Sequence, residues 1–180
     1  SLPGSTPIFF SFSTAGPSAA YGGLSFSAVA RRLKYISPVI SPDGKEMVFI
    51  SSRDLFSLDI YLADAETGKV KRKLISTALD PHFESIQFIR SAGSWDPKGE
   101  KFVFGGVTRG RPVLTIIDMK RDKVEREIPF PELGEILSPS WSPDGRFIAF
   151  SALAGGVTDI FIYDLAQNVL RQMTRDVYGD

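Results

Sequence analysis

The 180-residue chain contains no cysteine. A disulfide framework, a thiolate metal site and a cysteine nucleophile are thereby excluded. The absence does not fix a compartment, since cysteine-free chains suit oxidising and reducing spaces alike. There is one histidine, His82, so no two-histidine metal site can form within one chain. Net charge is also lacking: 21 Lys and Arg balance 21 Asp and Glu. That removes the electrostatic case for nucleic acid or an acidic membrane surface. No run reaches the roughly 18 apolar residues of a membrane-spanning helix. Neither G-x-S-x-G nor H-E-x-x-H occurs, so the familiar hydrolase and zinc-protease patterns are missing. Gly105 and Gly110 have P-loop spacing, but Arg111-Pro112 follow where Lys and a hydroxyl residue are required. Residues 105–110 therefore read as a hairpin loop, with no nucleotide site and no cofactor.

What remains is a turn-rich globular composition. The chain is 43% hydrophobic and 12% aromatic, with 16 Gly and 12 Pro, which suits a folded β protein and not a disordered chain. Charge is absent from residues 1–30. Residues 1–36 read as a linker or as the remnant of a preceding structural unit. No basic stretch precedes the apolar patch Ile8-Phe9-Phe10-Ser11-Phe12, so a complete signal peptide is not expected. The start at Ser1 leads to the expectation that the chain is a piece of something larger.

Internal repetition is the strongest signal. Ile40-Ser41-Pro42-Asp43-Gly44, Trp95-Asp96-Pro97-Lys98-Gly99 and Trp141-Ser142-Pro143-Asp144-Gly145 align. Five residues past each Gly stands a Phe: Phe49, Phe104 and Phe150. Further on come Asp64, Asp118 and Asp164, then Gly68, Asp122 and Asn168. Pro presets one turn dihedral and Gly accepts positive φ, so each unit reads strand, turn, strand. Gly, Asp and Asn tolerate the left-handed region and mark a second reversal. The runs between, such as Met47-Val48-Phe49-Ile50 and Val113-Leu114-Thr115-Ile116-Ile117, are continuously apolar, as in strands covered on both faces. The last run of each unit, for example Val124-Glu125-Arg126-Glu127-Ile128, alternates, as in a charged outer edge.

The expected fold is all-β: a partial β-propeller of three four-stranded antiparallel blades. The blades fall at about 37–76, 91–130 and 137–175, within a repeat region 37–180 whose tail reads as the start of a fourth. Linkers are expected at 77–90 and 131–136. Three blades span only an arc, so each end blade exposes an apolar face. A fragment of a larger ring, two copies meeting to close one, and a partial fourth blade from residues 1–36 all answer this; the fragment is the preferred reading.

Trp141-Ser-Pro-Asp-Gly-Arg-Phe-Ile-Ala-Phe150 followed by Asp159-Ile160-Phe161-Ile162-Tyr163-Asp164 resembles the WD40-like repeat of TolB-type β-propellers. Blade 1 matches through Ser41-Pro42-Asp43-Gly44 and Asp59-Ile60-Tyr61; blade 2 departs, with Lys98 at the turn Asp and Val113 at the Asp59 and Asp159 position. The resemblance covers about residues 37–180. It implies a non-catalytic segment serving as a protein-interaction scaffold in a periplasmic or secreted bacterial setting. The alternative it leaves is an accessory propeller that gates or docks substrate for a larger peptidase, such as a prolyl oligopeptidase-like enzyme.

Candidate contact residues lie on connections, where a rigid frame displays them. They are Asp80, His82 and Glu84 on the linker into blade 2, with Arg109 and Arg111 beside the second hairpin. Loops 51–58, 77–90, 105–112 and 151–158 form the expected contact surface for a protein partner, and the end blades offer a route to self-association. Asp59, Asp64, Asp159 and Asp164 read as strand-end carboxylates that hold turn backbones, not as metal ligands. Trp95 and Trp141 read as packing between blades, and Arg31-Arg32-Leu33-Lys34 as a solvated strand end.

Overall fold

Turn chemistry lays out the architecture. The computed structural model describes residues 37–54, 57–76, 85–86 and 93–175, and all regular elements among them are strands. In blade 1, β1 (Val39–Ile40) and β2 (Glu46–Asp54) flank Ser41-Pro42-Asp43-Gly44. The Gly44 amide donates to the Ser41 carbonyl at 2.9 Å, with Gly44 at φ +74°. Ser41 Oγ donates to Asp43 Oδ1 at 2.6 Å and accepts from the Glu46 amide at 2.9 Å. Blade 3 repeats the pattern with Ser142 and Asp144. Blade 2 solves it differently. Asp96 replaces the serine, and its Oδ1 accepts directly from the Glu100 and Lys101 amides, both at 2.7 Å. The carboxylate has moved two positions along the turn, which frees the third position for Lys98.

The remaining strands are β3 (Ser57–Asp64), β4 (Val70–Ser76), β5 (Ser85–Ile86), β6 (Ser94–Trp95), β7 (Lys101–Thr108), β8 (Arg111–Asp118), β9 (Lys123–Pro129), β10 (Ile136–Trp141), β11 (Phe147–Ala154), β12 (Val157–Asp164) and β13 (Val169–Gln172). Blade 1 is the antiparallel sheet β1-β2-β3-β4 and blade 3 is β10-β11-β12-β13. Blade 2 is β7-β8-β9 with an innermost strand in two pieces, β5 and β6, both paired to β7. Ile86 sits opposite Gly106, as Ile136 sits opposite Ala152; Trp95 and Trp141 match likewise, opposite Phe102 and Ile148. β5 lies inside the 77–90 stretch.

The expected hairpin loops at 105–112 and 151–158 need correction. β7 runs to Thr108 and β8 starts at Arg111, so only Arg109-Gly110 turns. β11 runs to Ala154 and β12 starts at Val157, leaving only Gly155-Gly156. Two-residue turns with positive φ at both positions match the twist of the flanking strands. Arg109 (+52°), Gly110 (+71°), Gly155 (+60°) and Gly156 (+95°) meet that requirement. The glycines at 105 and 106 are strand residues. An added Cβ on Gly105 would stand 2.8 Å from the Ile136 carbonyl oxygen, so Gly105 is where the inner strand of blade 3 comes close.

Alternation along each strand builds two cores between blades and a smaller cluster of Met47, Phe49 and Ala63 on the other face of blade 1. Val48, Ile50, Ile60, Leu62 and Ile75 of blade 1 pack with Trp95, Phe102, Phe104, Ile117 and Met119 of blade 2. Val103, Leu114, Ile116 and Ile128 of blade 2 pack with Ile136, Ile148, Phe150, Phe161 and Tyr163 of blade 3, together with Phe130 and Leu133 between the blades. Phe49, Phe104 and Phe150 are all buried, and each such ring contributes about 1.5–3 kcal/mol. Trp95 stacks edge-on against Phe102 at 5.5 Å and donates its indole N–H across to the Val39 carbonyl at 3.0 Å. Trp141 is half-buried at the edge of the second core.

An arginine clasp ties blades 1 to 2 and 2 to 3. Arg72 on β4 donates to the Met119 carbonyl at 2.6 Å and pairs with Asp122 at 3.1 Å. Arg126 on β9 does the same one blade on. It donates to the Leu165 carbonyl at 3.3 Å, to the Tyr163 hydroxyl at 3.2 Å and to Asn168. Arg72 pairs in register with Leu62, and Arg126 with Ile116. Arg171 holds the same register place opposite Ile162 in blade 3. It is exposed, on the face turned away from blade 2, beside Ile160 and Met173.

Candidate functional site

Strand direction sorts the connections to two rims. One rim carries the Pro-Gly turns and the turns begun by Asp64, Asp118 and Asp164. There each carboxylate holds backbone: Asp64 accepts from Thr67 N at 2.9 Å, Asp118 from Arg121 N at 2.8 Å and Asp164 from Ala166 N at 2.9 Å. Those amide bonds hold the Asp64 and Asp118 carboxyls below the usual aspartate range. Gly68, Asp122 and Asn168 take the left-handed conformation that closes these turns.

Asp59 and Asp159 do not hold turn backbones, contrary to the sequence expectation. Both are buried mid-strand and meet side chains of the outer strand. Lys73 Nζ reaches Asp59 at 2.7 Å, and the Tyr61 hydroxyl donates to it at 3.1 Å. Burial alone would lower the Lys73 pKa; the bond and charge of Asp59 outweigh it and raise the value. Burial, then the Asp59 charge, pushes the Tyr61 hydroxyl upward. In blade 3, Gln172 Nε2 and Thr174 Oγ1 each donate to Asp159 at 2.9 Å. Each of these two carboxylates thus meets donors from its own blade.

The opposite rim carries Arg109-Gly110 and Gly155-Gly156. β4 ends here at Ser76, opposite Asp59, and β5 begins here at Ser85, opposite Val107. Asp80, His82 and Glu84 fall between those points and lie outside the described residues, as does the Arg31–Lys34 cluster. Arg109 and Arg111 are exposed, and no described residue pairs with either. They border an open cleft of about 470 Å³ with Thr108, Val113, Glu127 and Pro129. Thr108 is only 8% exposed, and its hydroxyl has no hydrogen-bond partner. Among the described residues, no group of three or more acidic or histidine side chains is arranged to hold a metal.

No family model matches the chain. A Tol-Pal system protein TolB of Gluconobacter oxydans (strain 621H) is 26% identical over 117 residues, 61% of this chain and 25% of that protein. The crystal structure of TolB from Acinetobacter baumannii superposes with a TM-score of 0.60 at 24% identity, covering 78% of this chain and 32% of that one. The chain is similar in sequence to TolB and shares the β-propeller fold of TolB structures. It spans about a quarter to a third of the length of these two relatives. An acylaminoacyl peptidase shares the fold at a TM-score of 0.52 and 18% identity, covering 79% of this chain and 25% of that one.

Of the residues that border this cleft, the sequence singles out Arg109 and Arg111 and leaves their neighbours unmarked. Thr108 and Val113 carry no motif; only pairing brings Thr108 opposite Arg111 and Val113 opposite Pro129. The clasp was also missed, although a signal existed. The alternating outer runs keep an arginine while the residues around it change sign: Lys71-Arg72-Lys73 against Glu125-Arg126-Glu127. Arg171 is one residue out of phase with them in sequence. A bulge between Ile116 and Ile117 in the blade 2 pairing, absent from blade 3, restores its place.

Proposed function

We propose that these blades are an arc of a larger TolB-type propeller that acts as a non-catalytic scaffold for protein partners. The contact surface is the rim bearing Arg109 and Arg111, with Asp80, His82 and Glu84 on the neighbouring linker. A periplasmic or secreted bacterial setting goes with this reading through the TolB likeness. The observation that carries it is the division of labour between rims. One rim engages its carboxylates in closing its own turns; the other bears two arginines that form no ion pair among the described residues.

The open face of blade 3 supports the arc. Ile160, Met173 and Leu153 are 48%, 56% and 42% exposed, and Arg171 stands among them without the carbonyl and side-chain acceptor that Arg72 and Arg126 find. The face fits another repeat that presents an Asp-initiated turn. A second copy is a poorer fit. The opposite face of blade 1, with Met47, Phe49 and Ala63, is already buried, and pairing two blade 3 faces brings two arginine-bearing surfaces together. In solution at micromolar concentration the chain is expected to sediment as a monomer; a stable dimer overturns this part.

The second reading, an accessory propeller of a peptidase, draws on the acylaminoacyl peptidase likeness. One experiment separates the two. The complete protein is tested for a stoichiometric protein complex and for cleavage of fluorogenic peptides. Complex formation without cleavage supports the scaffold; cleavage by the complete protein selects the peptidase accessory.

A further inference from the structure

Blade 2 lacks a carboxylate that its neighbours keep. At the position of Asp59 and Asp159 it has Val113, and the outer-strand partner there is Pro129. In blades 1 and 3 the buried carboxylate is met by donors from β4 and from the end of β13. In blade 2 the same place is a cleft. Of the donors around it, the Thr108 hydroxyl is buried and unpartnered, and Arg109 and Arg111 form no ion pair among the described residues. Arg109 also holds a left-handed backbone conformation. Glycine adopts that conformation with less strain, and Gly155 stands at the same turn position in blade 3. The cationic turn is peculiar to blade 2; blade 3 has Ala154-Gly155-Gly156-Val157 in its place.

We propose that this cleft binds a carboxylate from a partner, an aspartate or glutamate side chain on an exposed acidic segment, which fills the place Asp59 and Asp159 fill in the flanking blades. The inference rests on the scaffold reading and names the chemistry of its partner. Arginine presents a planar fork suited to a carboxylate. Val113 and Pro129 give the cleft an apolar floor, where a charged hydrogen bond is stronger than in open water. Glu127 also lines the cleft, and its negative charge disfavours a polyphosphate or nucleic-acid backbone.

The test uses the full chain and two end-blocked, fluorescently labelled hexapeptides, one with two glutamates among glycines and serines, the other with glutamines in their place. The acidic peptide is expected to bind at least about tenfold more tightly, and to weaken as salt rises. Arg111→Gln and Arg109→Gly are each expected to lower its affinity about tenfold. Arg109→Gly suits the local backbone, so its melting temperature should not fall, which separates lost binding from lost fold. Val113→Asp restores the missing carboxylate and is expected to block the peptide. Equal binding of the two peptides, or an Arg109→Gly/Arg111→Gln double variant with unchanged affinity, overturns the proposal. So does inorganic phosphate binding more tightly than the acidic peptide. If the complete protein holds a partner while the acidic peptide fails, the carboxylate site is wrong and the scaffold reading stands. If the peptide binds and no partner complex forms, the scaffold reading is the one that fails.

Discussion

Strands β8 and β12 read alike in sequence and differ in the fold. Val113-Leu114-Thr115-Ile116-Ile117 is buried without a break. In β12, Asp159 and Phe161 are buried while Ile160 between them is 48% exposed. Leu114 and Ile160 occupy the same place in their blades, four residues before Asp118 and Asp164. One faces blade 3; the other faces no described neighbour. A continuous apolar strand is thus a demand for two neighbours, and in blade 3 only one face of the strand meets a neighbour among the described residues.

The sharpest way to break the comparison is to put a charge at both places. Leu114→Asp buries an unpaired carboxylate between blades and is expected to cost on the order of 4–5 kcal/mol, close to the whole stability of a small domain. Ile160→Asp should fall within about 0.5 kcal/mol of the parent. Urea unfolding of both variants measures the difference, and similar losses would mean that the blade 3 face is covered in solution.

Next in size is the ring at the blade interface. Phe104→Ala removes a side chain that is 1% exposed and should cost about 3–5 kcal/mol; Met173→Ala on the open face should leave the urea midpoint unmoved. The clasp gives a smaller contrast. Arg126→Met strips hydrogen bonds from Leu165, Tyr163 and Asn168 and should cost about 1–3 kcal/mol. Arg171→Met should cost nothing in this chain. In a longer chain with a further blade packed on that face, Arg171→Met should approach the Arg126 value.

Acid gives the smallest and most distributed effect. Hydrogen bonds from Ser41 and Ser142, first in importance, and from nearby amides hold Asp43 and Asp144 below the ordinary value of 3.8. Amide bonds do the same for Asp64 and Asp118. A folded pKa below the unfolded one means that the stabilisation is present above about pH 4 and is lost as pH falls through the folded values. The melting temperature should therefore be flat with pH down to about 4 and drop below it, with the drop reduced in Asp43→Asn/Asp144→Asn. These turns recur in all three blades, so acid should loosen blade 2 and blade 3 together, unlike the substitutions above.

Much of the frame was legible because it is made by neighbours in sequence. The Pro-Gly turns, the left-handed residues at 68, 122 and 168, and the phenylalanines five residues past each turn glycine all report local geometry. The hairpins at 109–110 and 155–156 are shorter than the sequence suggests, because glycines at 105 and 106 look like loop residues until pairing shows them in a strand. Asp59 and Asp159 look like turn residues in sequence, since a side chain's partner on the outer strand, 13 to 15 residues away in blade 3, leaves no local mark. Lys98 and Val113 read as departures from the repeat. Asp96 accounts for the first by doing the turn's work from another position; the second opens a cleft.

By itself the sequence determined three like units, their strands, their turns and their charged outer edges, since dihedral preference and alternation act over a few residues. Only the tertiary structure decided which apolar faces are covered, that Arg72 and Arg126 reach into the next blade while Arg171 does not, and that Thr108, Arg109 and Arg111 gather around a place emptied by Val113. Those outcomes depend on register and on packing between chain segments dozens of residues apart, where no short-range preference reaches.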